Sequence, residues 1–366
     1  MSRNPGRPGP GGVVSGPIVP AARDAPGGSP HDAAQPQGKP AAVEIDFVGV
    51  TKRYEGQAEP AINDLSFTVP AGETCCLVGP SGGGKTTAMK LVNRLIELTE
   101  GDIRIGGRSV QELDVTALRR NIGYVIQQVG LFPHMTVAAN LAVVPKLLGW
   151  SRDRIDRRVG ELLDLVRLDR SYVKRYPAQL SGGQQQRIGL ARALAADPPV
   201  MLMDEPFGAL DPITRSEIQD EFLRLEGEIR KTVIFVTHDI DEAIKMGDRI
   251  AVLRQGGTLA QYGTADELLS RPADDFVADF VGADRGLKRL SLRSVRELVG
   301  QDPSVQVPPG APTVSARATL RVGLSVLLAA GVDVLVVTDE QGERLGTVTL
   351  DRLREAAGAP PSEATP

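Results

Sequence analysis

The 366-residue chain lacks any run of about 18 consecutive apolar residues, and its best candidate, 323–337, is short and broken by Asp333. No membrane-spanning helix is expected. Its beginning also lacks the succession of charged, apolar and small residues that marks a secretory signal, so the cytoplasm is the expected compartment. Net positive charge is missing: the formal charge is -4 and the sequence pI about 5.6, which removes the overall basic field that draws proteins onto nucleic acid. Nucleic acid is therefore not an expected partner. Cysteine is scarce. Cys75 and Cys76 are the only two, adjacent within an apolar run. Neighbours on a strand point to opposite faces, so the pair reads as core and as neither a disulfide framework nor a metal pair.

The remaining composition is that of a globular protein, with 41% apolar and 24% charged residues. The length exceeds what one core usually organises, which predicts two modules. Residues 1–40 hold nine Pro and eight Gly with few large apolar side chains, too little to offset the entropy of ordering, so a disordered tail is expected up to residue 42. Val43, Ile45 and Phe47 then alternate with Glu44 and Asp46, as do Leu65, Phe67 and Val69 with their neighbours, the period of half-buried strands. Apolar runs at 75–78, 200–203 and 233–236, separated by helical stretches, predict an α/β fold with a largely parallel sheet. Near Asp284 the pattern changes to a basic stretch (Arg285, Lys288, Arg289, Arg293, Arg296), where a domain boundary is expected. Beyond it a helix over 318–330 and strands over 334–337 and 346–350 are predicted, with a frayed end from residue 358.

Three stretches carry chemistry. Gly79, Pro80, Ser81, Gly82, Gly83, Gly84, Lys85 and Thr86 fit G-x-x-x-x-G-K-[ST] between an apolar strand and a helix-like stretch beginning at Thr87. In that setting the backbone wraps phosphate oxygens, Lys85 supplies a point charge to the β and γ phosphates, and the Thr86 hydroxyl can ligate Mg²⁺. Downstream, an apolar strand ends in Asp204 and Glu205, suited to hold the metal and to activate an attacking water; alone, such a pair would read as a cap or a solvated edge. Between them, Ser181, Gly182, Gly183 and Gln184 open a helix, a second anion-directed helix start.

Leu180-Ser181-Gly182-Gly183-Gln184 in this position resembles the signature of ATP-binding-cassette (ABC) ATPases, and the similarity covers roughly 43–281. The resemblance implies a P-loop cassette with a RecA-like core, an antiparallel β subdomain and a helical subdomain. It also implies head-to-tail pairing of two copies, so that the signature of one closes over the ATP and Mg²⁺ held by the other. Carried over residue by residue, Tyr54 is the expected adenine-stacking aromatic, with a surface aromatic as the alternative. Gln127, with Gln128 beside it as the other register, is expected at the Mg²⁺ or the lytic water. Thr86 and Asp204 complete the expected metal ligands. Glu205 is the expected catalytic carboxylate, and His238 is expected to sense the γ-phosphate. Asp211 is expected to cross the dimer seam or, more simply, to cap the next helix. The stretch from Gln127 to Val144, with His134, is where a short helix of a transmembrane permease subunit would dock.

Three segments, 93–97, 122–137 and 207–214, resemble the quaternary-amine or glycine betaine importers, which implies an osmoprotectant cargo of betaine, carnitine, choline or proline type. Cargo selection then lies with the permease and, indirectly, a substrate-binding protein, at the cytoplasmic face of the membrane. Other importer cargoes (sugar, polyamine, phosphonate) and a DNA-acting ABC ATPase are the alternatives. Only 95 residues separate Lys85 from Ser181, which leaves no room for the long coiled coil of the latter. Residues from about 294 to 356 resemble a single cystathionine-β-synthase (CBS) motif, where that family has two; pairing with its copy in a dimer and a degenerate motif are the alternatives. This tail is expected to throttle ATPase activity with ionic strength or a bound nucleotide, its basic stretch attracting anionic lipid, with a solvated linker that senses nothing as the alternative. The expected organisation is thus 1–42 tail, 43–284 cassette, 285–357 CBS-like domain and 358–366 tail.

Overall fold

The computed structural model describes residues 41–127, 130–300 and 307–358. Of the expected tails 1–42 and 358–366, residues 1–40 and 359–366 lie outside them, as does Gln128. In chain order the strands are β1 (Ile45–Lys52), β2 (Ile62–Val69), β3 (Thr74–Val78), β4 (Glu100–Ile105), β5 (Arg108–Ser109), β6 (Ile122–Val125) and β7 (Val200–Asp204). They continue as β8 (Thr232–Val236), β9 (Arg249–Leu253), β10 (Leu259–Gly263), β11 (Thr313–Ser315), β12 (Val334–Thr338) and β13 (Arg344–Thr349).

Three sheets result. An antiparallel four-stranded sheet has the order β2-β1-β4-β5, and a six-stranded sheet the order β10-β9-β3-β8-β7-β6. Within the latter, β6, β7, β8, β3 and β9 are all parallel, and only β10 runs against its neighbour. The period-two reading explains how this sheet is covered on both faces. Along β3, Cys75 and Leu77 enter the core shared with the antiparallel sheet, while Cys76 and Val78 enter the core shared with the helices. The same split holds for Val200 and Leu202 against Met201 and Met203 on β7, and for Ile234 and Val236 against Val233 and Phe235 on β8. Both cysteines are free and buried, and burial pushes their thiols well above the ordinary range, so they are packing residues. Because the strands are parallel, the ends of β3, β6, β7 and β8 that lead into Gly79, Gln127, Glu205 and His238 all lie at one edge, where α/β sheets place their ligands.

The third sheet, β11-β12-β13, has a parallel and an antiparallel pair and packs Leu335, Val337 and Val348 on a helix at Leu320–Ala330. That helix starts two residues later than the sequence suggests because Thr319 caps it, its hydroxyl accepting from the Val322 N–H. The chain passes into this module through the helix Arg285–Leu290, which touches both the helix Ala265–Ser270 and the last helix, Leu350–Gly358. Here the expected lipid-attracting basic stretch is corrected. Lys288 and Arg289 are buried, Lys288 pairing with Asp241 and Asp284 at 3.2 Å and Arg289 with Asp266 at 2.7 Å. Arg293 is engaged by Glu297. Two of the five charges, Lys288 and Arg289, fasten the module to the preceding part of the chain rather than facing a membrane, while Arg293 pairs within its own segment. Among the described residues no helix is long and apolar enough to cross a bilayer.

Candidate active site

The phosphate-loop motif folds as a tight wrap between β3 and the helix Lys85–Val92, which begins at Lys85 itself, earlier than the expected Thr87. Gly84 makes the entry possible. Its φ is +79°, and a Cβ there would stand 2.4 Å from the Ala61 carbonyl oxygen and 2.5 Å from the Ile62 side chain. The Lys85 ammonium is buried in the curve of the loop and donates to the carbonyls of Gly79 at 2.8 Å and Pro80 at 2.9 Å. Burial lowers its pKa, opposed by Glu205 and Asp204, so the charge sits out of water and opposite two carboxylates. The first turn of the helix carries no side-chain cap, which leaves its N–H groups for phosphate oxygens.

One residue on, Thr86 donates its hydroxyl hydrogen to Asp204 Oδ1 at 3.1 Å. Burial raises the Asp204 pKa, with Thr86 opposing. This hydroxyl and carboxylate are hard oxygen donors side by side, a set that fits Mg²⁺, which is usually held by one or two protein oxygens while phosphate and water complete the shell. Gln127, the third expected ligand, donates its amide to Glu205 Oε2 at 3.0 Å.

Glu205 is the hub. Its backbone lies in the left-handed region at φ 43°, a conformation that costs a non-glycine residue about 1–2 kcal/mol. Its N–H is bonded to the Val236 carbonyl of β8, which fixes this turn against the strand that ends before His238. The other carboxylate oxygen, Oε1, lies 3.3 Å from His238 Nδ1. Residues from the ends of three strands, β6, β7 and β8, therefore meet on one carboxylate beside the phosphate loop. Tyr54 lies just past the end of β1, exposed, with the Lys52 ammonium 5.1 Å over its ring.

The signature residues stand apart. Ser181 caps the helix Gly182–Ala193 in a reciprocal box with Gln184, and Gln184 also donates to the Tyr172 hydroxyl. A Cβ at Gly183 would lie 2.9 Å from the Thr214 methyl. Among the described residues, Ser181–Gln184 share no hydrogen bond or ion pair with the phosphate loop. Asp211 does what the simpler alternative foresaw, accepting from the Thr214 N–H to cap the helix Pro212–Ile229. Beside it Ile213 is 75% exposed, the most exposed large apolar side chain described. His134 lies edge-on to the exposed Phe132 at 6.2 Å, on the segment expected to meet a permease.

Sequence reasoning missed the residues behind His238. Asp239 and Glu242 have the spacing of a capping box, and Asp239 does cap the helix Ile240–Met246, but the Glu242 carboxylate turns inward to Gln219. Only the three-dimensional neighbourhood of Gln219 reveals that choice.

The ABC transporter family pattern matches residues 62–208. The osmoprotectant import ATP-binding protein OsmV of Salmonella typhimurium is 48% identical over 86% of this chain and 81% of its own length. The glycine betaine/carnitine/choline transport ATP-binding protein OpuCA of Bacillus subtilis is 48% identical over 83% and 78%. Among solved structures, the dimeric post-hydrolysis ATP-binding cassette MJ0796 bound to ADP and Pi superposes with a TM-score of 0.54 at 35% identity, covering 60% of this chain and 98% of that one.

Proposed function

Because the chain belongs to the ATP-binding-cassette transporter ATPases, we propose that it powers import of a quaternary-amine osmoprotectant of glycine betaine, carnitine, choline or proline type. It binds ATP and couples ATP hydrolysis to transport. The observation that carries the catalytic reading is the Glu205 carboxylate, held at once by Gln127 and His238 beside the Lys85 loop.

In this reading Tyr54 stacks on adenine, and the loop from Gly79 to Thr87 wraps the phosphates. Lys85 neutralises the β and γ oxygens. Thr86 and Asp204 hold Mg²⁺, which when bound offsets the negative charge of the phosphate oxygens. Glu205 orients and deprotonates the attacking water, Gln127 fixes the carboxylate, and His238 donates to the γ-phosphate. Most of the rate comes from positioning and charge neutralisation. Ser181, Gly182, Gly183, Gln184 and Asp211 act on the nucleotide of a second copy. Their separation from this chain's own phosphate loop and the exposed Ile213 beside Asp211 support that pairing. A permease subunit docks on 127–144, and a substrate-binding protein acts through it from the other side of the membrane. The chain itself stays peripheral on the cytoplasmic face.

Glu205→Gln removes the carboxylate charge while keeping its shape. ATP binding should persist while turnover falls about 100-fold or more, measured by nucleotide titration and phosphate release. Near-normal hydrolysis would remove Glu205 from the mechanism. The cargo is tested separately, in vesicles containing the chain with its permease and binding protein. A betaine or carnitine should stimulate ATP turnover, and stimulation by maltose or spermidine in its place would overturn the cargo assignment.

A further inference from the structure

The turn that carries His238 is held from behind by buried polar groups. Thr237, 1% exposed, donates its backbone N–H to the Leu77 carbonyl of β3 at 3.2 Å. Its hydroxyl accepts from the Asp239 N–H at 3.0 Å and is also hydrogen-bonded to the Glu242 carboxylate. His238 is thus clamped between two residues joined by one hydroxyl. The Glu242 carboxylate is fixed in turn by the Gln219 amide at 2.9 Å. Gln219, 7% exposed, lies on the helix that Asp211 caps, and its amide oxygen accepts from Lys245 at 3.1 Å, whose ammonium pairs with Asp220 at 2.7 Å.

We propose that Glu242 is a positioning residue for the reaction: through Thr237 it sets the place of the His238 imidazole against Glu205, and through Gln219 it ties that place to the helix begun by Asp211. The proposal rests on the catalytic reading of His238. An imidazole 68% exposed has little packing of its own to fix it, so its backbone must supply the precision. A displacement of about 1 Å at a reacting group costs on the order of 100-fold in rate. Glu242 is only partly exposed and accepts hydrogen bonds from two sides, so it is the member whose removal frees both neighbours.

In the full-length chain, Glu242→Ala should lower kcat about 10- to 100-fold with KM for ATP changed less than about threefold. Glu242→Gln keeps an acceptor oxygen for the Gln219 amide and should restore most of the rate. Glu242→Ala added to His238→Ala should cost nothing further, because the first acts through the second. Additive losses in that pair, or a wild-type rate in Glu242→Ala, would overturn the proposal. Should Glu242→Ala fail to fold, Thr237→Val removes the linking hydroxyl at constant shape; a lowered kcat at unchanged KM supports the assignment, and an unchanged kcat ends it. Failure of the His238 reading itself is distinguished by His238→Ala alone, which would then hydrolyse ATP at the wild-type rate.

Discussion

Two helices in this molecule begin with sequences directed at phosphate, and they are built differently. The helix Lys85–Val92 opens from Gly84 with no side-chain cap, so its first N–H groups are committed to nothing within the chain's side chains. The helix Gly182–Ala193 opens from Ser181, whose hydroxyl accepts from the Gln184 N–H at 3.3 Å while Gln184 Oε1 accepts from the Ser181 N–H at 3.0 Å. Such a reciprocal cap contributes about 1 kcal/mol to its own helix. On the reading proposed above, the difference is that between a site completed by the ligand the chain itself holds and a surface that must be stable by itself until another molecule reaches it. Their glycines follow the same division. Gly84 has a left-handed backbone against the Ala61 carbonyl, whereas Gly183 has an ordinary backbone and faces the side-chain methyls of Thr214 and Ile218.

The largest effect that bears on this contrast is Lys85→Ala. The ammonium is the only cation within the loop, and deleting a buried charge that meets a phosphate costs several kcal/mol, so ATP affinity should fall about 100-fold whether or not a second copy is present. Isothermal titration on the monomeric chain reads this directly. Ser181→Ala should behave otherwise. ATP affinity of the monomer stays at the wild-type value, stability drops by about 1 kcal/mol from the lost cap, and kcat of the paired chains falls about 10-fold or more. If the serine variant weakened ATP binding to the monomer as the lysine variant does, the two helix starts would belong to one site and the division would be broken.

Much of this was legible in the sequence. The apolar runs at Cys75 to Val78 and at Val200 to Met203 marked strands buried on both faces, and the structure divides their side chains in turn between two cores. Lys85, Thr86, Asp204 and Glu205 could be found because the chemistry of phosphate constrains residue type and spacing within a short stretch. What stayed hidden depends on neighbours distant in sequence. Nothing local indicates that Lys288 and Arg289 spend their charges on Asp241 and Asp266, so a run of basic residues read as a membrane-facing patch when two of its members are anchors. Nor does the spacing of Asp239 and Glu242 tell a capping box from a carboxylate that turns to Gln219. Glu205 itself reads as one acid of a pair; its left-handed backbone and its grip on both Gln127 and His238 emerge only once three parallel strands stand side by side.

The smallest test sharpens the contrast at the glycines. Gly183→Ala places a methyl 2.9 Å from the Thr214 methyl, closer than carbon atoms pack, yet the backbone at Gly183 needs no left-handed conformation and alanine favours the helix. Overpacking and improved propensity then oppose each other, and the net change in stability should be within about 1 kcal/mol, read from the denaturation midpoint. Thr214→Ser removes the opposing methyl while leaving the backbone N–H that Asp211 caps. In that background Gly183→Ala should become neutral or stabilising, because only the propensity gain of up to about 1 kcal/mol remains. At Gly84 no such second substitution can help, since the obstacle there is a backbone carbonyl and the φ of +79° is itself unfavourable to alanine. A Gly183→Ala cost that persisted with Thr214→Ser would mean that the signature helix is held by more than its cap and this one methyl contact.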